Sequence, residues 1–482
     1  MARKDRGTRL DALFRSAALL TDLVITYGAL ALAMVVRFDG LSLSNVRVLV
    51  VTGALYTILL FLLSEMEGLY YTRTSVNRSM HGYRAIRIIL TITIIYMAIM
   101  FVFQLPSSHF VHSRIVIVVS FFIWIALYVV VRVLLLPHLL GWVLPVLGLG
   151  KIRLLLFGDD EHHRRITSLL SSSPIYRRII NLEFVPGPYP EDVSERMDHF
   201  YSVTRESGTP DLCVADDEVD FGDVARLAWK CRDNGLYLCF YSPIFLELKY
   251  YDPWLSMTER AAKVFFTPRM TRAAEALWRV VDVVGSLFLL VLLSPLLLVV
   301  TLLIKLGSRG PVLFLQERVG KARERFTFPK FRSMKSGNEE EHVEAHREYF
   351  RKYANGVAAD ENAEEGYKLR NRKRVTNVGR IIRKTSIDEF PQIFLVLTGR
   401  MSLAGPRPCI PYELEHYEDW QMLRFRVKPG LTGIWQVYGR SRLPFEAAQF
   451  MDFCYVMNRS VGQNVRLILQ TVPVVLLGKG GV

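Results

Sequence analysis

Residues Lys384 to Pro408 read KTSIDEFPQIFLVLTGRMSLAGPRP, with two adjacent carboxylates, Asp388 and Glu389, between a basic cluster and a Gly-Pro-Arg-Pro turn. Arg380, Arg383, Lys384, Arg400 and Arg407 surround the pair in sequence. A site that must hold a divalent cation, a pyrophosphate and a carboxylate nucleophile together needs this combination of groups. The reaction class it suggests is phosphoryl transfer. A plainer account also exists: Ser386-x-x-Glu389 has the spacing of a capping box, and acids in a first helical turn favour the helix dipole. Capping explains one acid and leaves the density of arginine and lysine, and the Gly-Pro-Arg-Pro turn, unexplained.

The elements that must position these groups follow from the flanking residues. Pro391 fits only near a helix start, where its missing N–H is not needed, so Asp388 and Glu389 are expected in the first turn of a helix continuing through about Leu397. Upstream, GPVLFLQERVGKARERFTFPKFRSMK reads as a strand pair joined by a basic turn and ending in Lys330, Arg332 and Lys335. Between Gly337 and Glu365 lies a charged helical stretch in which His342 and His346 share a face; with no third ligand in evidence, a solvated helix is expected rather than a metal site. The cysteines, Cys213, Cys231, Cys239, Cys409 and Cys454, show no CxxC spacing and are odd in number, which indicates neither a disulfide framework nor zinc. Cys409 adjoins the Gly-Pro-Arg-Pro turn, but burial is the expected role of a cysteine.

The chain has 482 residues, a net charge of +14 and 51% hydrophobic residues, too apolar for an ordinary soluble protein. Apolar stretches through roughly Ala17 to Val36, Val48 to Ser64, Ile86 to Phe103 and Ile115 to Leu136 each approach the ~20 residues of a membrane-spanning helix. Arg3, Lys4, Arg6 and Arg9 precede the first, and Arg73, Arg78, Arg84 and Arg87 lie between the second and third, so these loops are expected in the cytoplasm. The connections around Asp39 to Asn45 and Pro106 to His112 face outward on this reading, and the chain after about Pro137 returns to the cytoplasm. No cleavage pattern follows the basic N-terminus, so the first segment reads as a retained anchor. Asp22, inside it, is either a functional intramembrane acid or a residue facing its neighbours.

Trp278 to Ile304 is also long and apolar, yet both flanks are basic: Lys263, Arg269, Arg272 and Arg279 before it, Lys305 and Arg309 after it. A crossing helix should be asymmetric. At its middle, Pro295 lacks an N–H and crowds the carbonyl of Val291, and Ser294 has the hydroxyl to satisfy that carbonyl. A bent, re-entrant helix is expected; a spanning one would place Asp388 outside the cytoplasm.

From Lys151 the cadence is that of a parallel α/β sheet: IRLLLF, a helix through about Leu170, DLCVA, a helix through about Cys231, then LYLCFY. Its first strand-to-helix turn is Gly158-Asp159-Asp160-Glu161, where three carboxylates would repel a dinucleotide's phosphates, so a scaffold or regulatory role is expected. Gly148-Leu149-Gly150-Lys151 follows no convincing strand.

Residues 278 to 482 closely resemble the catalytic domain of the bacterial polyprenyl-phosphate phosphoglycosyl transferases, the monotopic bacterial sugar transferase family. The matching motifs, in order, are Ser294-Pro295, QERVG from Gln316, KFRSM from Lys330, RKTSIDEFPQ, MSLAGPRP from Met401 and KPGLTGIWQVYGR from Lys428. The resemblance to the large, multi-domain branch of that family implies three parts: a four-helix transmembrane region over 1–137, a degenerate Rossmann-like α/β domain over 138–262, and a catalytic α/β domain over 263–482 whose re-entrant helix is 278–304. It implies that Asp388 attacks the sugar-bearing phosphate of a UDP-sugar, expelling UMP and leaving an aspartyl phosphosugar. Polyprenyl (undecaprenyl) phosphate then attacks that intermediate to give the polyprenyl-diphosphate-sugar. Glu389 would hold Mg²⁺. Arg407 and Lys330 are assigned to neutralising the diphosphate, while Arg332, Arg380 and Arg383 either do the same or contact anionic membrane lipid.

On this reading the protein is an undecaprenyl-phosphate glycosyl-1-phosphate transferase of the bacterial inner membrane, its catalytic domain on the cytoplasmic face. It would load a hexose-1-phosphate at the start of exopolysaccharide, capsule or O-antigen synthesis. No nucleic-acid partner is expected, and a homo-oligomer is left open. Two departures from the family pattern stand out: Asn371-Arg372-Lys373-Arg374 replaces Asn-Asp-Pro-Arg, and Arg459-Ser460 with Asn464 alters the C-terminal contacts. Two rivals come from other classes. An inactive docking protein is opposed by the intact acidic pair, and a glycosyltransferase releasing UDP would need a DxD-type motif, for which only Asp216-Asp217 offers itself.

Overall fold

A computed structural model describes residues 6–38, 43–66, 69–70, 78–102, 114–146, 152–171, 180–208, 211–234, 236–246, 262–264, 272–334, 339–354, 375–438 and 443–476. The departure at Asn371–Arg374, Lys335 and the Gly148–Lys151 run lie outside these residues. The chain divides into two compact units, one comprising Met1–Val219, Lys230–Phe245 and Tyr251–Phe266, the other Asp220–Trp229, Leu246–Tyr250 and Thr267–Val482.

In the first unit, helices Arg6–Phe38, Leu43–Met66 and Arg78–Val102 form where the first three apolar stretches stand. The fourth is composite: α-helix Arg114–Leu127, a π-helical stretch Tyr128–Leu135, and α-helix Leu136–Val146. By length and hydropathy Leu13–Val36 and Val118–Val143 suffice to cross a membrane, while the described apolar parts of the second and third helices are shorter, Val50–Phe61 and Ala85–Met97. Asp22 faces a neighbour. Its Oδ1 lies 3.3 Å from Arg132 Nε, with the two side chains 2% and 0% exposed, and Arg132 also donates to Leu69 O at 2.9 Å. Two charges withdrawn from solvent together are tolerable where either alone is not.

The same unit carries a sheet in the order β2-β1-β3-β4-β5, with β1 Ile152–Phe157, β2 Ile180–Val185, β3 Asp211–Ala215, β4 Tyr237–Tyr241 and β5 Ala262–Val264. The first four are parallel and β5 is antiparallel to β4. Helices Asp160–Ser171 and Val193–Glu206 connect β1 to β2 and β2 to β3, the crossovers that parallel neighbours require. In the Gly158–Glu161 turn, Asp159 Oδ1 accepts from His162 N at 2.7 Å and so caps the helix that follows. Asp216 is buried against Arg196, 3.1 Å away, and Asp217 pairs with His162 at 3.3 Å.

The second unit is organised by helix Arg272–Gly307. Ser294 Oγ donates to Val291 O at 2.8 Å, the carbonyl that Pro295 leaves without a helical donor. Both ends of this helix are tied to one region. At the start, Arg279 bonds Val396 O and Leu397 O; at the end, Arg332 donates to Ser308 O and Arg309 O. By length and hydropathy Ala274–Gly307 also suffices to cross a membrane. Phe288, Val291, Leu292 and Leu298 stay more than half exposed, as lipid-facing residues must. Arg279 and Arg332, counted by sequence as membrane flank and ligand contact, are both spent on capping backbone carbonyls.

After this helix, β6 Leu313–Val319 and β7 Arg325–Phe331 form an antiparallel pair. Helix Glu339–Ala354 is not simply solvated: Phe350 is buried and stacks edge-on with Phe445, and His346 Nδ1 hydrogen-bonds Tyr412. Helix Asn377–Lys384 is followed by a 3₁₀ stretch, Ile387–Gln392, and a short α-helix, Ile393–Leu397. Strands β8 Ser402–Ala404 and β9 Gly430–Thr432 pair in parallel, and helices Phe445–Asn458 and Val461–Leu476 close the unit. The altered Asn464 is fully buried and lies 2.8 Å from Tyr455 Oη, keeping these two helices joined.

Candidate active site

The acidic pair lies on a 3₁₀ turn rather than an α-helical one, because the proline at 391 and the tight connection from Lys384 shorten the first turn. Ser386 is left-handed, with φ 56°, and makes no side-chain cap; Glu389 N bonds its carbonyl instead, at 3.2 Å. The capping-box reading of Glu389 therefore falls, and its carboxylate is free for other partners. It has two. Lys330 Nζ on β7 donates to Oε1 at 2.9 Å, and Arg407 donates to Oε1 at 2.7 Å and to Oε2 at 3.4 Å. Residues 59 and 18 positions away in sequence thus converge on one carboxylate.

Burial opposes ionisation of Glu389, but Arg407 and then Lys330 outweigh it and hold its carboxyl well below the usual range. Asp388 is different. Burial pushes its carboxyl up to about 6, against the pull of Lys330 and Arg407 and with help from the Glu389 charge. No ion pair to it occurs among the described residues, and a carboxyl near 6 is mostly ionised at neutral pH, the state a nucleophile requires. Side chains of Glu389, Lys330 and Arg407 are 20–26% exposed, open enough for a phosphate to reach the two cations.

Of the remaining candidates, Arg383 is half-buried and its charge acts on Asp388, whereas Arg380 and Lys384 point to solvent. Arg332 is held on Ser308 and Arg309, and among the described residues Arg400 reaches Glu324, 4.0 Å away on an exposed surface. Cys409 is 3% exposed and burial pushes its thiol up to about 12, so it is unreactive near neutrality.

Sequence reasoning missed the scaffold beneath the Gly-Pro-Arg-Pro turn. Arg318 donates to Pro408 O at 3.0 Å and to Gln316 Oε1, while Arg424 donates to Arg407 O and to Gln449 Oε1 and pairs with buried Asp452 at 2.8 Å. The carbonyls of Arg407 and Pro408 are thus both held while the Arg407 guanidinium faces Glu389. The QERVG motif contained Arg318, but nothing in one dimension distinguishes a backbone clamp from a ligand contact.

One free and one clamped carboxylate between two convergent cations, beside a long apolar helix, are groups that a phosphate-handling, membrane-associated enzyme would need. A family model described as bacterial sugar transferase matches residues 273–478. The chain is 35% identical over 229 residues to the exopolysaccharide production protein ExoY of Rhizobium meliloti, covering 47% of this chain and 98% of that protein. It is 38% identical over 209 residues to the undecaprenyl-phosphate galactose phosphotransferase of Salmonella typhimurium, covering 43% of this chain and 42% of that protein. The chain is also 36% identical over 208 residues to a UDP-N-acetylgalactosamine-undecaprenyl-phosphate N-acetylgalactosaminephosphotransferase of Aeromonas hydrophila, of which 44% is covered. The matched stretch therefore spans less than half of the Salmonella and Aeromonas proteins. This chain belongs to the bacterial sugar transferase family.

Proposed function

We propose that the protein transfers a sugar-1-phosphate from a UDP-sugar to undecaprenyl phosphate, through a covalent intermediate on Asp388, at the first step of a membrane-bound glycan. The observation that carries this reading is the division of labour in the acidic pair: Glu389 is clamped by Lys330 and Arg407, and Asp388 beside it is ionised and free. An Asp388 oxygen attacks the sugar-bearing phosphorus, the bond to the UMP oxygen breaks, and UMP leaves with the electron pair. An oxygen of undecaprenyl phosphate then attacks the same phosphorus and releases the Asp388 carboxylate. Lys330 and Arg407 lower the repulsion between Asp388 and the incoming diphosphate.

Magnesium fits this donor set. Mg²⁺ is commonly held by one or two carboxylates together with substrate phosphates, not by a protein cage, and Glu389 is a carboxylate that its neighbours keep ionised. Glu389 would hold it, with the ion's charge offsetting that of the separating diphosphate. Names of the Salmonella and Aeromonas relatives support undecaprenyl phosphate as acceptor and a hexose or an acetamido-hexose as cargo. A four-span anchor, a Rossmann-like middle domain and a cytoplasmic catalytic unit on a re-entrant helix complete the reading, supported by Pro295 within that helix and by its basic flanks.

The test is to supply UDP-galactose, UDP-glucose and UDP-N-acetylgalactosamine with undecaprenyl phosphate and Mg²⁺ to the purified membrane protein. UMP, not UDP, is expected, and donor alone should leave a phosphosugar adduct on Asp388 by mass spectrometry. Full activity in Asp388→Asn, or release of UDP, would overturn the mechanism.

A further inference from the structure

One turn of the membrane-embedded helix holds both segments that form the catalytic site. Arg279 donates to Val396 O at 2.6 Å and to Leu397 O at 2.8 Å, carbonyls of the last turn of the helix that follows the Asp388–Glu389 turn. That end has a left-handed Gly399, φ 85°, and a Cβ there would lie 3.2 Å from Arg279 Nη2, so the guanidinium fills the space a side chain would occupy. Asp282, one turn along, is 2% exposed and its Oδ1 accepts from Leu403 N at 2.9 Å and from Ser402 Oγ at 3.0 Å. Trp278 Nε1 donates to the same Ser402 oxygen at 2.9 Å. Ser402 and Leu403 belong to β8, which runs directly into Gly405-Pro406-Arg407-Pro408.

We infer that Arg279 and Asp282 are positioning residues: Arg279 fixes the far end of the segment bearing Asp388 and Glu389, Asp282 fixes the strand that delivers Arg407, and together they set the spacing of nucleophile and phosphate-binding cation from within the membrane helix. A carboxylate buried merely for stability would be satisfied by any donor pair. These two residues instead bond the two chain segments that flank the loop Thr398–Met401, and they contact neither Asp388 nor Arg407. Catalytic geometry is thereby referenced to the seating of the helix in the bilayer.

The inference rests on the proposed transfer reaction, and the experiment separates the two. Asp282→Ala removes both accepted bonds, whereas Asp282→Asn keeps an Oδ1 able to accept both. In nanodiscs, D282A should lower kcat for UMP release about 10- to 100-fold, the range expected of a displacement near 1 Å, with donor KM little changed, and D282N should recover most of it. Hydrogen exchange at the amides of Leu403 to Arg407 should rise in D282A and not in D282N. Loss of kcat in D282N equal to that in D282A, or unchanged kcat and exchange in D282A, would overturn the positioning role. Absence of UMP release in the unmodified protein would instead overturn the transfer reaction, and the exchange measurement would still decide whether Asp282 holds the strand.

Discussion

Lys330→Gln is the most informative single change at the site. It removes an ammonium 2.9 Å from Glu389 Oε1 and also the strongest of the cations that hold the Asp388 carboxyl down. A hydrogen bond to a charged group contributes ~1.5–3 kcal/mol, and at ~1.4 kcal/mol per decade this corresponds to roughly 10- to 150-fold in kcat/KM. The pH dependence supplies an independent reading. Asp388 works as a carboxylate, and its carboxyl is raised to about 6, so the rate should be full above neutrality and fall as pH drops through about 6. Without Lys330, burial and the Glu389 charge raise Asp388 with less opposition, and the acid limb should move to higher pH. Initial rates of UMP release from a UDP-sugar, measured from about pH 5 to 9 on both proteins, give the two quantities together. A variant within about threefold of the parent at every pH, less than a neutral hydrogen bond is worth, refutes the electrostatic account.

Three further outcomes are expected. Asp22→Ala strands Arg132 without its partner and should cost about 3–5 kcal/mol of stability, seen as a lower melting midpoint in detergent. The double change Asp22→Ala, Arg132→Met should recover most of that loss, and failure to do so would mean that the pair matters through something other than charge. Ser386→Gly relieves a left-handed φ of 56° and should stabilise the protein by up to about 1 kcal/mol, read by denaturation. Cys409→Ala, at a buried thiol pushed up to about 12, should keep its transfer rate within about threefold while losing about 1 kcal/mol of stability; a larger rate loss at unchanged stability would assign the thiol a chemical part.

Adjacent chemistry was legible because it is local. Asp388 and Glu389 announce themselves by neighbouring in the chain, Ser294-Pro295 by the missing N–H of proline, and the parallel strands by their apolar cadence. What each cation does was not legible. Lys330, Arg332, Arg318, Arg279 and Arg407 are all basic residues in motif-like runs, yet one pair clamps a carboxylate and three cap or grip backbone carbonyls. The same holds for Ser386, whose spacing to Glu389 suggested a capping box until its backbone proved left-handed.

Residue order alone therefore marked the long apolar helices, the proline within one of them, the α/β cadence and the adjacent acidic pair, since each depends on neighbours within a turn or two. Folding decided which cations reach Glu389, why Asp388 alone is left free, and that Asp22 meets Arg132. Those are contacts between groups tens or more residues apart, and both the cost of burial and the Coulomb attraction that offsets it depend on distances that exist only once the chain has closed on itself.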